Sequence, residues 1–274
     1  MTGDAVPGAF PFALSPLRHD QPIDTITVAE RLQTAPRLVA LTGGGVSVAS
    51  GLDIVGDDGP DRADRGLRSA STRDTWKRDL GALWARWGAV RAAAMAAEPN
   101  AAHLALAAHA RRAAANGGSL VVATQNVDGL HARAGSPSIV ELHGSVLRSR
   151  CTGAGCGPAF TDERVPAPGE VPGCTRCGGP CRPDVVLFGE TLRASDWRRV
   201  SDRVRSADAV LVAGLSGVVY PASGLVNETR AGTLRVLTNT DVCPDAADRF
   251  DAVVVGRCEE TLSVLLGTAV ASAA

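Results

Sequence analysis

Leu38-Val39-Ala40-Leu41-Thr42-Gly43-Gly44-Gly45 decides the fold: four apolar residues run straight into a glycine turn, and small residues follow at Val46-Ser47-Val48-Ala49. A short, continuously apolar run suits a strand covered on both faces. Glycines at its carboxyl end let backbone amides approach a pyrophosphate, and the dipole of a following helix favours the anion. A nucleotide-binding βα unit begins this way. The turn alone is equally consistent with a plain glycine turn after a strand, so the segments around it must decide.

Further short apolar runs follow at 120–123, 139–142, 185–188, 209–212, 234–237 and 252–255. Helical patterns separate them. One covers 80–97, with Trp84 and Trp87 three apart and Pro99 beyond; the next is Ala-rich, capped by Asn100 and running through His109. Upstream, Thr27 and Glu30 have capping-box spacing for a short helix ending before Pro36. The alternation of strand and helix predicts an α/β fold with a Rossmann-like doubly wound parallel sheet. Between Leu147 and Pro183 the apolar period gives way to Cys, Gly and Pro, which predicts a small inserted zinc-binding module. The expected division is an N-terminal arm at 1–24, a Rossmann-like domain from 25–56, 101–147 and 183–274, a cofactor loop and helical insertion at 57–100, and the zinc-binding module at 148–182.

Composition narrows the function. Apolar residues make up 45% of the 274 positions and charged residues 21%, enough to bury a sizeable core. A formal net charge of -1 gives no bulk attraction to nucleic acid or an anionic membrane surface, so neither is an expected partner. No apolar run approaches the roughly 20 residues of a membrane span. The N-terminus shows no basic segment followed by an apolar stretch, and the expected location is cytoplasmic. Of the seven cysteines, five lie between Cys151 and Cys181, with Cys243 and Cys258 isolated. Without an export signal, that clustering favours a metal over disulfides.

The chemistry-bearing residues sit after the predicted strands. Thr124-Gln125-Asn126-Val127-Asp128-Gly129-Leu130-His131 places amides and a carboxylate at a strand's carboxyl end, where open α/β sheets bind ligands. Such groups can pair with both the donor and the acceptor of a carboxamide; a polar turn that only caps the next helix is the plainer reading. His131 is as readily structural as catalytic. Glu141-Leu142-His143-Gly144 follows another strand, and an imidazole titrating near neutrality can take a proton from a sugar hydroxyl. Gly144 leaves room beside it. Cys151-x4-Cys156 and Cys174-x2-Cys177 can close a tetrahedral site in which four thiolates leave no open position, so the metal is structural. Cys181 is either a substitute ligand or a buried spectator. Residues 182–190 read as a core strand that re-enters the sheet, and Gly214-Leu215-Ser216 and Asn239 as further strand ends offering amides and polar groups to a phosphate or ribose.

With these blocks in place, the chain resembles the sirtuin family from about residue 35 to residue 266. The resemblance is carried by 42–47, 124–131, His143-Gly144, the two cysteine pairs, 182–190, 214–222 and Asn239. It implies a transferase that uses NAD as co-substrate and one structural zinc ion, a deacylase or deacetylase giving nicotinamide and O-acyl-ADP-ribose, with an acylated protein or peptide as partner. It implies that Gly43, Gly44, Gly45, Ser47 and Asp53 line the cofactor site, and that Gly214, Ser216, Asn239 and the turn at Cys258 surround the adenosine half. Asn126 and Asp128 would hold the nicotinamide amide, while Gln125 and His143 face the nicotinamide ribose. His143 would be the base, acting with Asn126 and Gln125. The stretch containing Val186, Phe188, Gly189 and Glu190 would pair with the substrate backbone as an added strand.

The chain departs from the family where sirtuins read Gly-Ile-Pro-Asp-Phe-Arg-Gly. Here the sequence is Gly51-Leu52-Asp53-Ile54-Val55-Gly56: Asp53 matches, but Ile54 stands for the aromatic and Val55 for the arginine. Loss of one charge-assisted contact costs about 1.5–3 kcal/mol, roughly 10- to 150-fold in affinity. Weak NAD binding or slow turnover is therefore expected unless Arg62, Arg65 or Arg68 compensates. Gly44 and Leu215 also replace the usual alanine and threonine. The Tyr-x-x-Arg pair that selects dicarboxylic acyl groups is replaced by Trp87 and Val90, with Arg91 one position off. Transfer of ADP-ribose, deacylation of a metabolite, or a non-catalytic NAD or ADP-ribose sensor are the alternatives on this scaffold; His143 argues against the last, since a sensor needs no base.

Overall fold

The computed structural model describes residues 24–53, 71–215, 222–241 and 248–268. The N-terminal arm up to residue 23, Ile54, Val55, Arg62, Arg65, Arg68, Ser216 and Cys243 lie outside the described residues. Six strands form one parallel sheet: β1 (Arg37–Thr42), β2 (Ser119–Thr124), β3 (Ile139–Glu141), β7 (Ala209–Ala213), β8 (Leu234–Asn239) and β9 (Ala252–Val255). Their order is β3-β2-β1-β7-β8-β9. The chain first builds outward from β1 on one side and later returns to add β7 on the other, so the topological switch point falls between β1 and β7. Doubly wound sheets bind their ligands there, at the carboxyl ends of the strands.

The alternation of β1 explains the two layers. Leu38 and Ala40 pack with Val28 and Leu32 of α1 (Thr25–Thr34), Leu106 of α4 (Ala101–Ala115) and Leu262 of α8 (Cys258–Leu265). Val39 and Leu41 point the other way, against Val200 and Val204 of α6 (Ala194–Ser206) and Leu225 of α7 (Ala222–Val226). Successive side chains leave opposite faces of a strand, so a continuously apolar run is what a doubly covered strand requires.

A second, antiparallel sheet has the order β5-β4-β6, from β4 (Gly144–Cys151), β5 (Phe160–Thr161) and β6 (Cys181–Val185). Two short helices and a long one complete the helices of the described residues: α2 (Arg73–Arg78), α5 (Leu130–Arg133) and α3 (Leu80–Ala96). The long helix packs on the small sheet, burying Leu83, Trp87 and Ala94 against Val146, Val185 and Leu187. The Trp84 indole donates to the carbonyl of Cys181 (2.7 Å). The helical insertion and the small sheet therefore share one core.

Two expectations are corrected. Residues 182–190 do not rejoin the parallel sheet: the strand ends at Val185 and pairs antiparallel with β4. Its alternation of Arg182 and Asp184 is unsuited to a strand sandwiched between helices; Asp184 is instead met by Arg148, Arg150 and Arg193. The first helix is capped by Asp24, whose carboxylate accepts from the amide (3.0 Å) and hydroxyl (2.7 Å) of Thr27. Asp is a strong N-cap acceptor, so the helix starts earlier than the Thr27/Glu30 spacing suggests.

Candidate active site and metal centre

At the switch point two loops touch through their backbones. The amide of Gly43 donates to the carbonyl of Ala213 (3.1 Å) and that of Gly45 to the carbonyl of Gly214 (3.1 Å). A Cβ on Gly45 would lie 2.7 Å from the Cα of Gly214. Gly214 itself has φ +63°, and a Cβ there would come within 2.5 Å of the Val46 nitrogen. Gly43 and Gly45, read from the sequence as letting their amides approach a pyrophosphate, instead spend those amides on the neighbouring loop, and their lack of a Cβ is what lets the two loops close on each other. Gly44 opens the short 3-10 turn Gly44–Val46 that follows.

Asn126, Ser47 and Asp128 form a connected group beside this turn. The Asn126 carboxamide donates to the carbonyl of Gly43 (3.0 Å) and to the Ser47 hydroxyl (3.0 Å). Ser47 donates in turn to Asp128 (2.7 Å), whose other oxygen accepts from the amide of Leu130 (2.9 Å). Burial raises the Asp128 carboxyl above its ordinary value, opposed by those two hydrogen bonds. The group leaves carboxylate lone pairs and an amide oxygen to receive a carboxamide.

His143 stands next to it. Its Nδ1 lies 3.0 Å from the carbonyl oxygen of Gln125, the residue before Asn126. A carbonyl only accepts, so Nδ1 carries the hydrogen and Nε2 keeps its lone pair. Burial lowers the His143 pKa, the bond to Gln125 partly offsetting it, so the ring is neutral at neutral pH. The His143 carbonyl accepts from the amide of Val186 (2.9 Å), which holds the residue from its other side. Gly144 has φ +78°, and a Cβ there would meet the carbonyl oxygen of Asp184 at 2.0 Å; it is needed for the approach of β4 to β6 rather than for room beside the imidazole.

Gln125 Nε2 is a buried donor with no partner among the described residues. Buried donors are rarely left unpaired, so this one fits a ligand acceptor. Together with the glycine cradle it meets what a dinucleotide needs. Asn239 closes β8 by donating to the carbonyl of Leu215 (3.2 Å). Cys258 is buried at the start of α8, its thiol pushed up to about 12 mainly by burial. Asp53 is exposed and makes no hydrogen bond among the described residues. Asn100, read from the sequence as a helix cap alone, also donates to the carbonyl of Val46 (2.8 Å) and the hydroxyl of Ser50 (2.9 Å), tying the helical insertion to the cofactor turn.

At the proposed substrate edge much is already engaged. Phe188 donates to the carbonyl of Ser71 (3.0 Å) and accepts from the amide of Arg73 (2.9 Å). Glu190 accepts from Arg182 (2.5 and 2.9 Å), Trp76 (3.2 Å) and the amide of Leu187 (3.0 Å). Its carboxylate therefore holds the turn together. Exposed Gly189 and the carbonyl of half-buried Val186, whose amide is taken by His143, remain as backbone open to a peptide among the described residues.

The four thiols of Cys151, Cys156, Cys174 and Cys177 lie within 4.8 Å of one another, with sulfur separations of 3.6, 3.6 and 3.4 Å for three of the pairs. Tetrahedral zinc at about 2.3 Å from each thiolate sets sulfurs near 3.8 Å apart, so the group fits zinc and is too wide for disulfides. Cys181, buried at the start of β6, stands outside the group.

Comparison with known proteins agrees with this geometry. The model of the Sir2 family matches residues 43–221. An NAD-dependent protein deacylase of Thermus thermophilus is 43% identical over 197 residues, covering 72% of this chain and 76% of the relative. A solved Sir2 homolog–NAD complex superposes with a TM-score of 0.76 at 32% identity, covering 92% of this chain and 94% of the other. The structure of Sir2Af2 bound to a myristoylated histone peptide gives 0.66 at 28% identity, over 89% and 94% of the two chains. An α/β chain with a switch-point nucleotide cradle and a four-cysteine module is thereby defined. It belongs to the Sir2 family, the sirtuins.

Proposed function

We propose that the protein removes acyl groups from lysine side chains of proteins or peptides, consuming NAD and giving nicotinamide and O-acyl-ADP-ribose. One observation carries the reading: the imidazole of His143 hangs through Nδ1 from the residue preceding Asn126, leaving Nε2 unpaired among the described residues. Asn126 and Asp128 would hold the carboxamide of NAD, Gln125 would give its unpaired amide to the cofactor, and Gly43, Gly45 and Gly214 would admit the phosphates. NAD, when bound, supplies the electrophilic ribose carbon that takes the acyl oxygen as nicotinamide departs. His143 Nε2 then accepts the proton of a ribose hydroxyl. Zinc would cross-link the small module through its four thiolates, and a cytoplasmic setting suits thiols that must stay reduced.

Related enzymes support the substrate class, and Arg91 narrows it. This guanidinium is fully buried and donates to the carbonyls of Val146, Arg164 and Arg148 and to the hydroxyl of Ser149. Its remaining Nη1 hydrogen faces the buried Asp162 carboxylate (3.6 Å), so the guanidinium is already charge-paired and committed, and neutral acyl chains are preferred. The loop change at Ile54 and Val55 favours ADP-ribosyl transfer as the second reading, because that loop governs access to the reacting carbon.

Incubation with NAD and an acetyl-lysine peptide, followed by mass spectrometry, tests both. O-acetyl-ADP-ribose is the expected product. ADP-ribosylated protein in its place would transfer the case to the second reading, and no nicotinamide release at all would refute both.

A further inference from the structure

A groove of about 540 Å3 adjoins the proposed substrate edge, lined by Thr72, Arg73, Asp74, Lys77, Phe188 and Gly189. Its back wall is fixed. The backbone of Phe188 is paired to Ser71 and Arg73, and the Trp76 indole reaches Glu190 while the Arg182 guanidinium lies 4.9 Å from the Trp76 ring centroid. Helix α2 is therefore bound against the edge, and a peptide joined to the backbone at Gly189 must pass its neighbouring side chains over the groove.

The rim has a definite sign. Arg73 and Lys77 are both exposed and, four residues apart, share a face of α2. Neither forms an ion pair among the described residues. Asp74 is the opposing charge in the lining, while Glu190, the carboxylate nearest along the edge, is spent on Arg182. Phe188, 39% exposed, adds an apolar surface between them. Of the 28 lysine and arginine residues in the chain, Lys77 is the only lysine, so its charge can be changed without touching another.

We propose that this groove selects acyl-lysine peptides carrying acidic residues beside the acylated lysine, a substrate preference that rests on the deacylase reading. A carboxylate on the peptide meets two cations that have no ion-pair partner among the described residues, whereas a basic flank meets like charge. Such contacts are exposed, so each is weak and screened by salt.

The test uses acetyl-lysine peptides that differ only in Asp or Arg at the positions flanking the acylated residue. In low salt kcat/KM is expected to favour the acidic peptide by roughly three- to tenfold, converging towards parity as ionic strength rises. Arg73→Glu combined with Lys77→Glu should reverse the order, and Lys77→Arg should preserve it. Fluorescence anisotropy of the same peptides without NAD reads the groove independently of turnover. Equal constants for both peptides, or a preference that survives charge reversal, overturn the proposal. Selective binding with no turnover of either peptide would support the groove and remove the deacylase reading instead.

Discussion

His143 and His131 follow two neighbouring strands of one sheet, His143 directly and His131 within the short helix α5, yet their surroundings differ. His143 is half-buried, anchored through Nδ1 to the Gln125 carbonyl, and its Nε2 has no hydrogen-bond partner among the described residues. His131 is 2% exposed, with Nε2 2.9 Å from the Thr42 hydroxyl and its ring centroid 4.7 Å from that of His103. Burial depresses both pKa values. Desolvation alone therefore does not mark a catalytic base; what marks it is a lone pair fixed in direction and left open to a substrate.

The widest separation between the two should come from substitution by asparagine. In His143→Asn the carboxamide can still donate to the Gln125 carbonyl, so only the proposed base is deleted. kcat/KM should fall about 10²- to 10⁴-fold with the melting temperature unchanged. His131→Asn should do the reverse, losing about 1–3 kcal/mol of stability from an altered buried hydrogen bond while turnover changes less than tenfold. Comparable losses of turnover in two well-folded variants would abolish the distinction.

Acid sharpens the same contrast. His103 and His131 are pushed down by burial to about 4 and about 3, well below the ordinary 6.5. The folded pKa lies below the unfolded one, so the unfolded chain takes up protons first. Their contribution to stability is complete above pH 6.5 and is lost as pH falls towards the folded values. Each such histidine should contribute a slope approaching 1.4 kcal/mol per pH unit in that window. Urea unfolding of the wild type and His131→Asn across pH 4 to 7 isolates this term, because the carboxylates cancel in the difference; a flat difference would show that His131 is not held neutral. Activity should also decline on the acid side below pH 6.5, as His143 fills its lone pair.

What the sequence disclosed follows the range of the interactions. The strand into Gly43, the polar block at 124–131, His143 and the cysteine pairs are local patterns, and each lies at a strand end or turn where neighbours in sequence are neighbours in space. The assignment of 182–190 to the parallel sheet failed because its partners are remote: Asp184 is explained by Arg148, Arg150 and Arg193 on other elements. The second role of Asn100 and the pairing of His103 with His131 are likewise contacts across the layers. No period in the chain announces them. Gly144 illustrates the subtler case, a glycine noticed for the right position and explained by the wrong neighbour.

The smallest of these effects probes how the two regions are joined. Ser47 lies on the turn after β1, accepts from Asn126 and donates to Asp128, so one hydroxyl orients both groups assigned to the nicotinamide amide. Ser47→Ala removes the bridge and leaves Asp128 Oδ2 without its donor in a buried place. An unpaired buried acceptor costs about 1–3 kcal/mol. Because burial already disfavours the charged carboxylate and the Ser47 bond opposes that, the Asp128 pKa should rise further. The loss should therefore appear as a roughly tenfold increase in KM for NAD that deepens as pH is lowered, with peptide KM unmoved. An equal change in both constants would mean that Ser47 supports the whole fold of the turn rather than the clamp.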